Sequence, residues 1–247
     1  MSGPSWFVYL FGYLTMMPTE YVCTYADGVP PTEGICSKEF ICNSDPRIAT
    51  WEADPDSDKT LDNWVQKLEL TCVDPWLIGF MGACIFLGWT FTLLWLPAFA
   101  DRHGRKKFFW IGITVDLFCY TGIMLTHNLY FMIVMWFIMG TMNSLRSNVG
   151  YCYLMEMFPK KGQTWATSAL NAQEAIIYIL GTLYFWKISK HWIYFVSIGY
   201  VQNFIAVILL VWMPESPRYL VSVGKLKEAR KAFKTIAWWN RKPLIWD

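Results

Sequence analysis

The chain has 247 residues, of which 55% are hydrophobic, 18% aromatic and only 16% charged. A soluble domain carries about 25% charged residues, and here the apolar residues gather in blocks of membrane-crossing length; the sequence describes an integral membrane protein and excludes an ordinary soluble enzyme or nucleic-acid module. The net charge of +2 says little about partners, but its distribution says more: twelve acidic residues stand against four Lys and Arg between Glu20 and Asp74, and eight Lys and Arg against two acids from Arg218 onward.

The first apolar segment, 6–17, is too short to cross a bilayer at about 1.5 Å per residue and approaches that length only if extended to Cys23. Residues 1–23 therefore read as a short first span. Residues 24–74 form a polar outer loop. In it, Leu61, Trp64, Val65 and Leu68 recur at helical spacing. They predict an amphipathic helix capped near Asp58 or Thr60, lying on the membrane surface or on the rest of the loop. Five clearer spans follow at 75–99, 108–125, 129–153, 165–186 and 192–213, so residues 75–213 read as a five-span helical bundle. In the last segment, 214–247, Leu226, Ala229, Phe233 and Ile236 share one face with Lys and Arg elsewhere, the pattern of a basic interfacial helix facing anionic lipid headgroups. With five full spans and one partial span, "DRHGRKK", "PKKGQ" and the C-terminal helix fall on one side, the inner side by the positive-inside rule, and the acidic loop faces outward.

Cys84, Cys119 and Cys152 lie in apolar segments and read as packing residues. Cys23, Cys36, Cys42 and Cys72 lie in or beside the outer loop, where they make two disulfides on an oxidising side, in a pairing the sequence leaves open. A metal site is the competing reading, weakened by the lack of CxxC and of a neighbouring His. There is no P-loop, G-x-S-x-G, HExxH or GxGxxG, and the three His are scattered at span ends. No enzymatic activity, cofactor, metal or nucleic-acid partner is expected.

Between the second and third spans stands "ADRHGRKKFF". Asp101 followed at once by Arg102, with Gly104 between two basic residues, describes a shaped turn: the Asp accepts from helix N–H groups, the Arg bridges carboxylates and the Gly removes a Cβ. Here the sequence resembles the major facilitator superfamily, whose loop between spans two and three reads G-x-x-x-D-R-x-G-R-R/K. A second match, "PESPRYL" at 214–220, is shared with the sugar-porter and organic cation transporter branches. The large Cys-containing outer loop ending in "LELTCVDPW", with Glu156 in "YLMEMFPKKG", points to the organic cation transporter-like branch. The resemblance covers nearly the whole chain but only the N-terminal half of a family member. It implies an all-α six-span half of a major facilitator fold, and an inner-side charge latch that closes one conformation, formed by Asp101, Arg102, Gly104, Arg105, Glu156, Glu215 and Arg218.

Charges inside spans are costly and default to paired or functional roles. Asp116 lies mid-span three, Asn143 and Arg146 in span four, Gln173 and Glu174 in span five. Arg146 and Glu174, at matching depth, read as a structural ion pair in preference to a substrate site. Asp116 reads equally as a site for an organic cation or as bonded to a neighbouring Ser, Tyr or Asn. Tyr151, Tyr153, Tyr178 and Tyr184 fit packing and the interface belt better than a cation–π cage.

Three departures from the resemblance shape the functional expectation. Pro97 stands where the loop motif has Gly, Trp136 stands where the family often has a span-four Arg, and the first span is short. The six spans also lack the facing half that alternating access requires. The expectation is a degenerate half-transporter, kept as a non-transporting structural subunit of a larger membrane complex with lipid and other membrane subunits as partners. The mitochondrial inner membrane is favoured over the plasma membrane or an endomembrane. The alternative is a transporter of small organic ions, working as a homodimer or with a separate second half, and a longer natural chain is a third reading.

Overall fold

A computed structural model describes residues 5–18, 20–25, 36–44, 48–54, 56–57 and 60–241; the cap expected at Asp58 lies outside them. The chain opens with two short helical pieces, α1 (Ser5–Val8) and α2 (Phe11–Thr15). The extension of this segment to Cys23 does not form a helix. Pro18 biases the residue before it away from the helical region, and the β-branched and aromatic run that follows prefers a strand. Residues Tyr21–Tyr25 (β1) pair antiparallel with Ile48–Ala53 (β2). The fold is all-α in class and mostly helical, with a two-stranded sheet in the outer loop.

A short helix α3 (Lys38–Cys42) completes this subdomain. Two disulfides staple it, Cys23–Cys36 with Cα atoms 5.7 Å apart and Cys42–Cys72 with Cα atoms 5.3 Å apart. The second bond anchors α3 to a 3₁₀ turn, Leu70–Cys72, immediately before the first long helix.

The expected amphipathic helix is a single turn, α4 (Trp64–Lys67). It starts at Asn63, whose side chain accepts from the Val65 N–H at 2.9 Å, and it stops before Glu69, which takes a left-handed φ of 53°. Its apolar residues do not lie on a surface. Leu61, Trp64, Val65 and Leu68 are buried in the main core with Phe7, Leu10, Tyr120, Trp136 and Trp192. Polar contacts seat this turn on the bundle. Asn63 Nδ2 donates to the Tyr13 and Met16 carbonyls at 2.9 and 3.1 Å. Lys67 Nζ donates to the Ile123 and Met124 carbonyls at 2.9 and 2.8 Å, and His191 Nδ1 lies 2.5 Å from Asp62 Oδ2.

The bundle comprises α5 (Pro75–Leu93), α6 (Leu96–His103), α7 (Arg105–Leu125), α8 (Leu129–Ser144), α9 (Gly150–Met157), α10 (Lys160–Leu183) and α11 (Trp192–Trp212). Helices α8 and α9 form one rod through a π-helical turn, Leu145–Val149, and a second π turn, Tyr184–Ile188, extends α10. Four of these units, α5, α7, α8–α9 and α11, are long and apolar enough to cross a membrane. The expected second span, 75–99, breaks between α5 and α6 because Pro97 has no N–H to give the Leu93 carbonyl. Two small residues bring α5 and α8 together. A Cβ on Gly88 would fall 2.3 Å from the Phe137 carbonyl oxygen, and one on Gly140 would fall 2.1 Å from that of Ile85, the close backbone approach that small residues permit between membrane helices.

Beyond α11 come α12 (Pro217–Ser222), capped by Ser216, and α13 (Leu226–Trp239). Helix α13 buries Ala229 and Ala232 against Leu220 and leaves Leu226 and Trp238 exposed. The bundle therefore has a cystine end, carrying the sheet, and a basic end, carrying the turn at 103–105 and helices α12 and α13.

Candidate substrate cavity and the charge cluster at the basic end

At the basic end, Arg105 is the hub. Its Nε donates to Asp101 Oδ1 at 2.9 Å, one helical turn back, and its Nη1 donates to Glu156 Oε1 at the end of α9. Gly104 sits between α6 and α7 with φ of 109°, and a Cβ there would lie 2.9 Å from Glu215 Oε2. Glu215 Oε1 accepts the backbone N–H groups of Lys106 and Ser216, each at 3.0 Å. A carboxylate thus satisfies an otherwise unpaired N–H in the first turn of α7, with favourable alignment to the helix dipole.

Asp101, Gly104, Arg105, Glu156 and Glu215 are therefore brought into one cluster. Arg102 joins it through its carbonyl, which accepts from the Tyr219 hydroxyl at 3.1 Å. Arg218 reaches the Phe158 carbonyl at 3.4 Å. Two members are not assigned to it by the sequence: Tyr219, inside the quoted "PESPRYL", and Tyr153, read there as a packing residue, whose hydroxyl donates to the Pro214 carbonyl. The Tyr in the motif was a usable signal; the role of Tyr153 depends on tertiary contact alone.

Midway along the bundle, the π turn of the α8–α9 rod carries Arg146. π turns recur at functional sites because the wider turn redirects side chains. Arg146 is 4% exposed, and its Nη2 donates to Asn143 Oδ1 at 2.5 Å while Ser147 Oγ bonds the same oxygen at 3.0 Å. Its Nε lies 3.9 Å from Asp116 Oδ2 on α7, and Asp116 is fully buried. Neither Asp116 oxygen, nor Arg146 Nε, has a hydrogen-bond partner among the described residues.

Two pockets of 230 and 240 Å³ adjoin Arg146 and share Trp89, Ser147 and Glu174. The first also has Tyr9 and Asn143 in its wall, the second Tyr151, Asn171 and Gln173. Glu174 accepts from the Tyr9 hydroxyl at 2.9 Å. The structure puts Asp116 in ion-pair range of Arg146, with Glu174 in the wall of the same cavity. Of the four tyrosines, Tyr151 faces it, with its hydroxyl 3.0 Å from Thr167 Oγ1. Tyr153 and Tyr184 are buried, and Tyr178 packs edge-on to Tyr9, so the four do not form a cage. Trp136 meets Phe11 and Trp64 edge-on, at 5.3 and 5.8 Å between ring centres, in the aromatic core nearer the cystine end.

The structure is thus a helical membrane bundle with a polar cavity midway along it and a charge cluster at one end. A family model for the major facilitator superfamily matches residues 63–246, and the chain belongs to that superfamily. It is 30% identical to mouse solute carrier family 22 member 16 over 188 residues, covering 75% of this chain and 28% of the relative. It is 28% identical to the Xenopus laevis protein of the same name over 178 residues, covering 72% of this chain and 31% of the relative. The Arabidopsis thaliana sugar transporter ERD6-like 10 is 30% identical over 163 residues, covering 61% of this chain and 32% of that protein. The chain spans about a third of the length of these relatives. It resembles the solute carrier 22, organic-cation-transporter branch of the superfamily.

These similarities overturn the expectation of a degenerate, non-transporting structural subunit. That expectation weighed Trp136 and the short first span as signs of decay. Family similarity runs instead from residue 63 to 246, through all the long helices of the bundle.

Proposed function

We propose that this chain supplies the N-terminal, six-span half of a membrane transporter for small organic ions. In this reading the spans are the α1–α2 segment, α5–α6, α7, α8–α9, α10 and α11. Helix α10 is less apolar than the others because its polar residues, Asn171, Gln173 and Glu174, line the cavity. The observation that carries the proposal is that cavity: Arg146 and Glu174 bring both signs of charge to one wall, with Tyr9, Trp89 and Tyr151 as aromatic surface. Such a wall, polar and aromatic in the middle of an apolar bundle, suits a small charged solute near the bilayer midplane.

The cluster around Arg105 acts as the inner latch, holding α6, α7, α9 and the start of α12 together in one conformation and releasing them in the other. The basic end faces inward by the positive-inside rule, and α13 lies along the inner interface. The cystine end faces an oxidising compartment, which fits the plasma membrane or an endomembrane. A mitochondrial inner membrane was tied to the structural-subunit reading and has no separate support. The facing half of the site comes from further sequence, from a second copy or from a separate chain.

The test is ligand-dependent thermal stabilisation of the purified full chain with a panel of small organic ions, such as tetraethylammonium and para-aminohippurate. The reading expects at least one ion to raise the melting temperature, and Glu174→Gln or Arg146→Gln to abolish that rise. A panel without effect, or stabilisation indifferent to both substitutions, refutes it.

A further inference from the structure

We propose that the groove between α7 and α11 at the basic end is a binding site for an anionic phospholipid. The groove has a volume of 580 Å³ and is lined by Lys106, Lys107, Trp110, Ile111, Val211 and Glu215. Its residues are ordered along the bundle. The two lysines stand in the first turn of α7, at the mouth, and Trp110 and Ile111 lie one turn deeper. Val211, in the last turn of α11, forms the opposite wall. Trp110, Ile111 and Val211 are 37%, 43% and 56% exposed.

The exposed Lys107 ammonium, with an aromatic ring and aliphatic walls one turn deeper, matches a phospholipid in profile, phosphate above and acyl chain below. A neutral zwitterionic lipid would leave Lys107 without a net counter-charge, whereas an anionic headgroup supplies one. Lys106 is already aimed inward, its Nζ donating to the Val211 carbonyl at 3.0 Å, which leaves the exposed Lys107 as the principal phosphate contact. The carboxylate in the wall does not oppose this. Both hydrogen bonds to Glu215 Oε1 come from backbone N–H groups, of Lys106 and Ser216, and Glu215 Oε2 is turned toward Gly104. The site depends on membrane embedding alone, so it stands or falls separately from the transport reading.

The experiment is native mass spectrometry of the full chain released from nanodiscs of phosphatidylcholine and phosphatidylglycerol in equal parts. Wild-type protein is expected to retain phosphatidylglycerol preferentially. Lys107→Gln, at an exposed position that leaves folding intact, should cut the preference roughly five-fold, and Lys106→Gln/Lys107→Gln should remove it. Lys231→Gln/Lys234→Gln, on the basic face of α13, should weaken it far less than the groove variants. Equal retention of the two lipids by wild type overturns the proposal, as does a preference that survives the double substitution at the groove. Loss on the α13 variant alone would assign the effect to a diffuse basic surface. Displacement of the lipid by inorganic phosphate would assign the lysines to a free anion. Either result also overturns it.

Discussion

Glu215 and Lys106 are joined by a hydrogen bond in which the carboxylate accepts the backbone N–H of the first turn of α7 at 3.0 Å. The other carboxylate oxygen occupies the space a Cβ on Gly104 would need. The turn between α6 and α7 thus has a glycine for two reasons, its φ of 109° and this contact. Gly104→Ala is expected to destabilise the bundle by about 1–3 kcal/mol through backbone strain. Glu215→Gln, which keeps an acceptor, should cost less than Glu215→Ala. Thermal unfolding in mild detergent reads both, and Gly104→Ala with an unchanged melting temperature would refute the account.

The contact between α5 and α8 makes a sharper prediction. Ile85 and Gly140 meet backbone to backbone, so any side chain at 140 must push the helices apart. Gly140→Leu is expected to abolish folded protein, while Gly12→Ala, which would meet nothing within 4 Å, should be tolerated. Overpacking typically costs about 1–3 kcal/mol and more where backbone cannot yield. Monodispersity on size-exclusion chromatography compares the two.

Most of the bundle was legible because long apolar runs have few alternatives to spanning helices, and the charge cluster was legible because its residues come in dense, ordered motifs. The outer loop was misread where local pattern and tertiary demand diverged. Leu61, Trp64, Val65 and Leu68 do fall at helical spacing, yet Glu69 ends the helix after one turn and the core takes all four residues. At the cavity, the sequence places Asp116 and Arg146 in their spans but does not join them. The orientation of the π turn, which carries its Nε toward Asp116, has no counterpart in sequence periodicity.

That geometry predicts a coupled pair. Removing one member of a buried ion pair leaves the other charge uncompensated, a loss of about 3–5 kcal/mol. Asp116→Ala should therefore be severely destabilising, and Asp116→Asn less so because the amide keeps a polar neighbour for the guanidinium. The double variant Asp116→Asn/Arg146→Gln should recover much of the loss. A double-mutant cycle on unfolding in SDS measures the coupling. Additive single effects would show that the 3.9 Å separation carries no interaction.

Lys67 ties the cystine end to the bundle, its ammonium donating to the last carbonyls of α7 and lying 4.9 Å from the Trp192 ring centre. These bonds satisfy carbonyls left orphaned at the end of α7, so Lys67→Met is expected to cost about 1–2 kcal/mol at neutral pH. Burial holds the Lys67 ammonium below the usual lysine range. In the window between that lowered value and the unfolded value of about 10.4, the unfolded chain binds more protons than the folded one. The contribution of this group to stability therefore rises with pH. The deficit of Lys67→Met relative to wild type should accordingly widen as pH climbs from neutral toward that upper limit. Parallel melting curves across the range check the sign, and a deficit that narrows with pH would mean that the ammonium is stabilised, not penalised, where it sits.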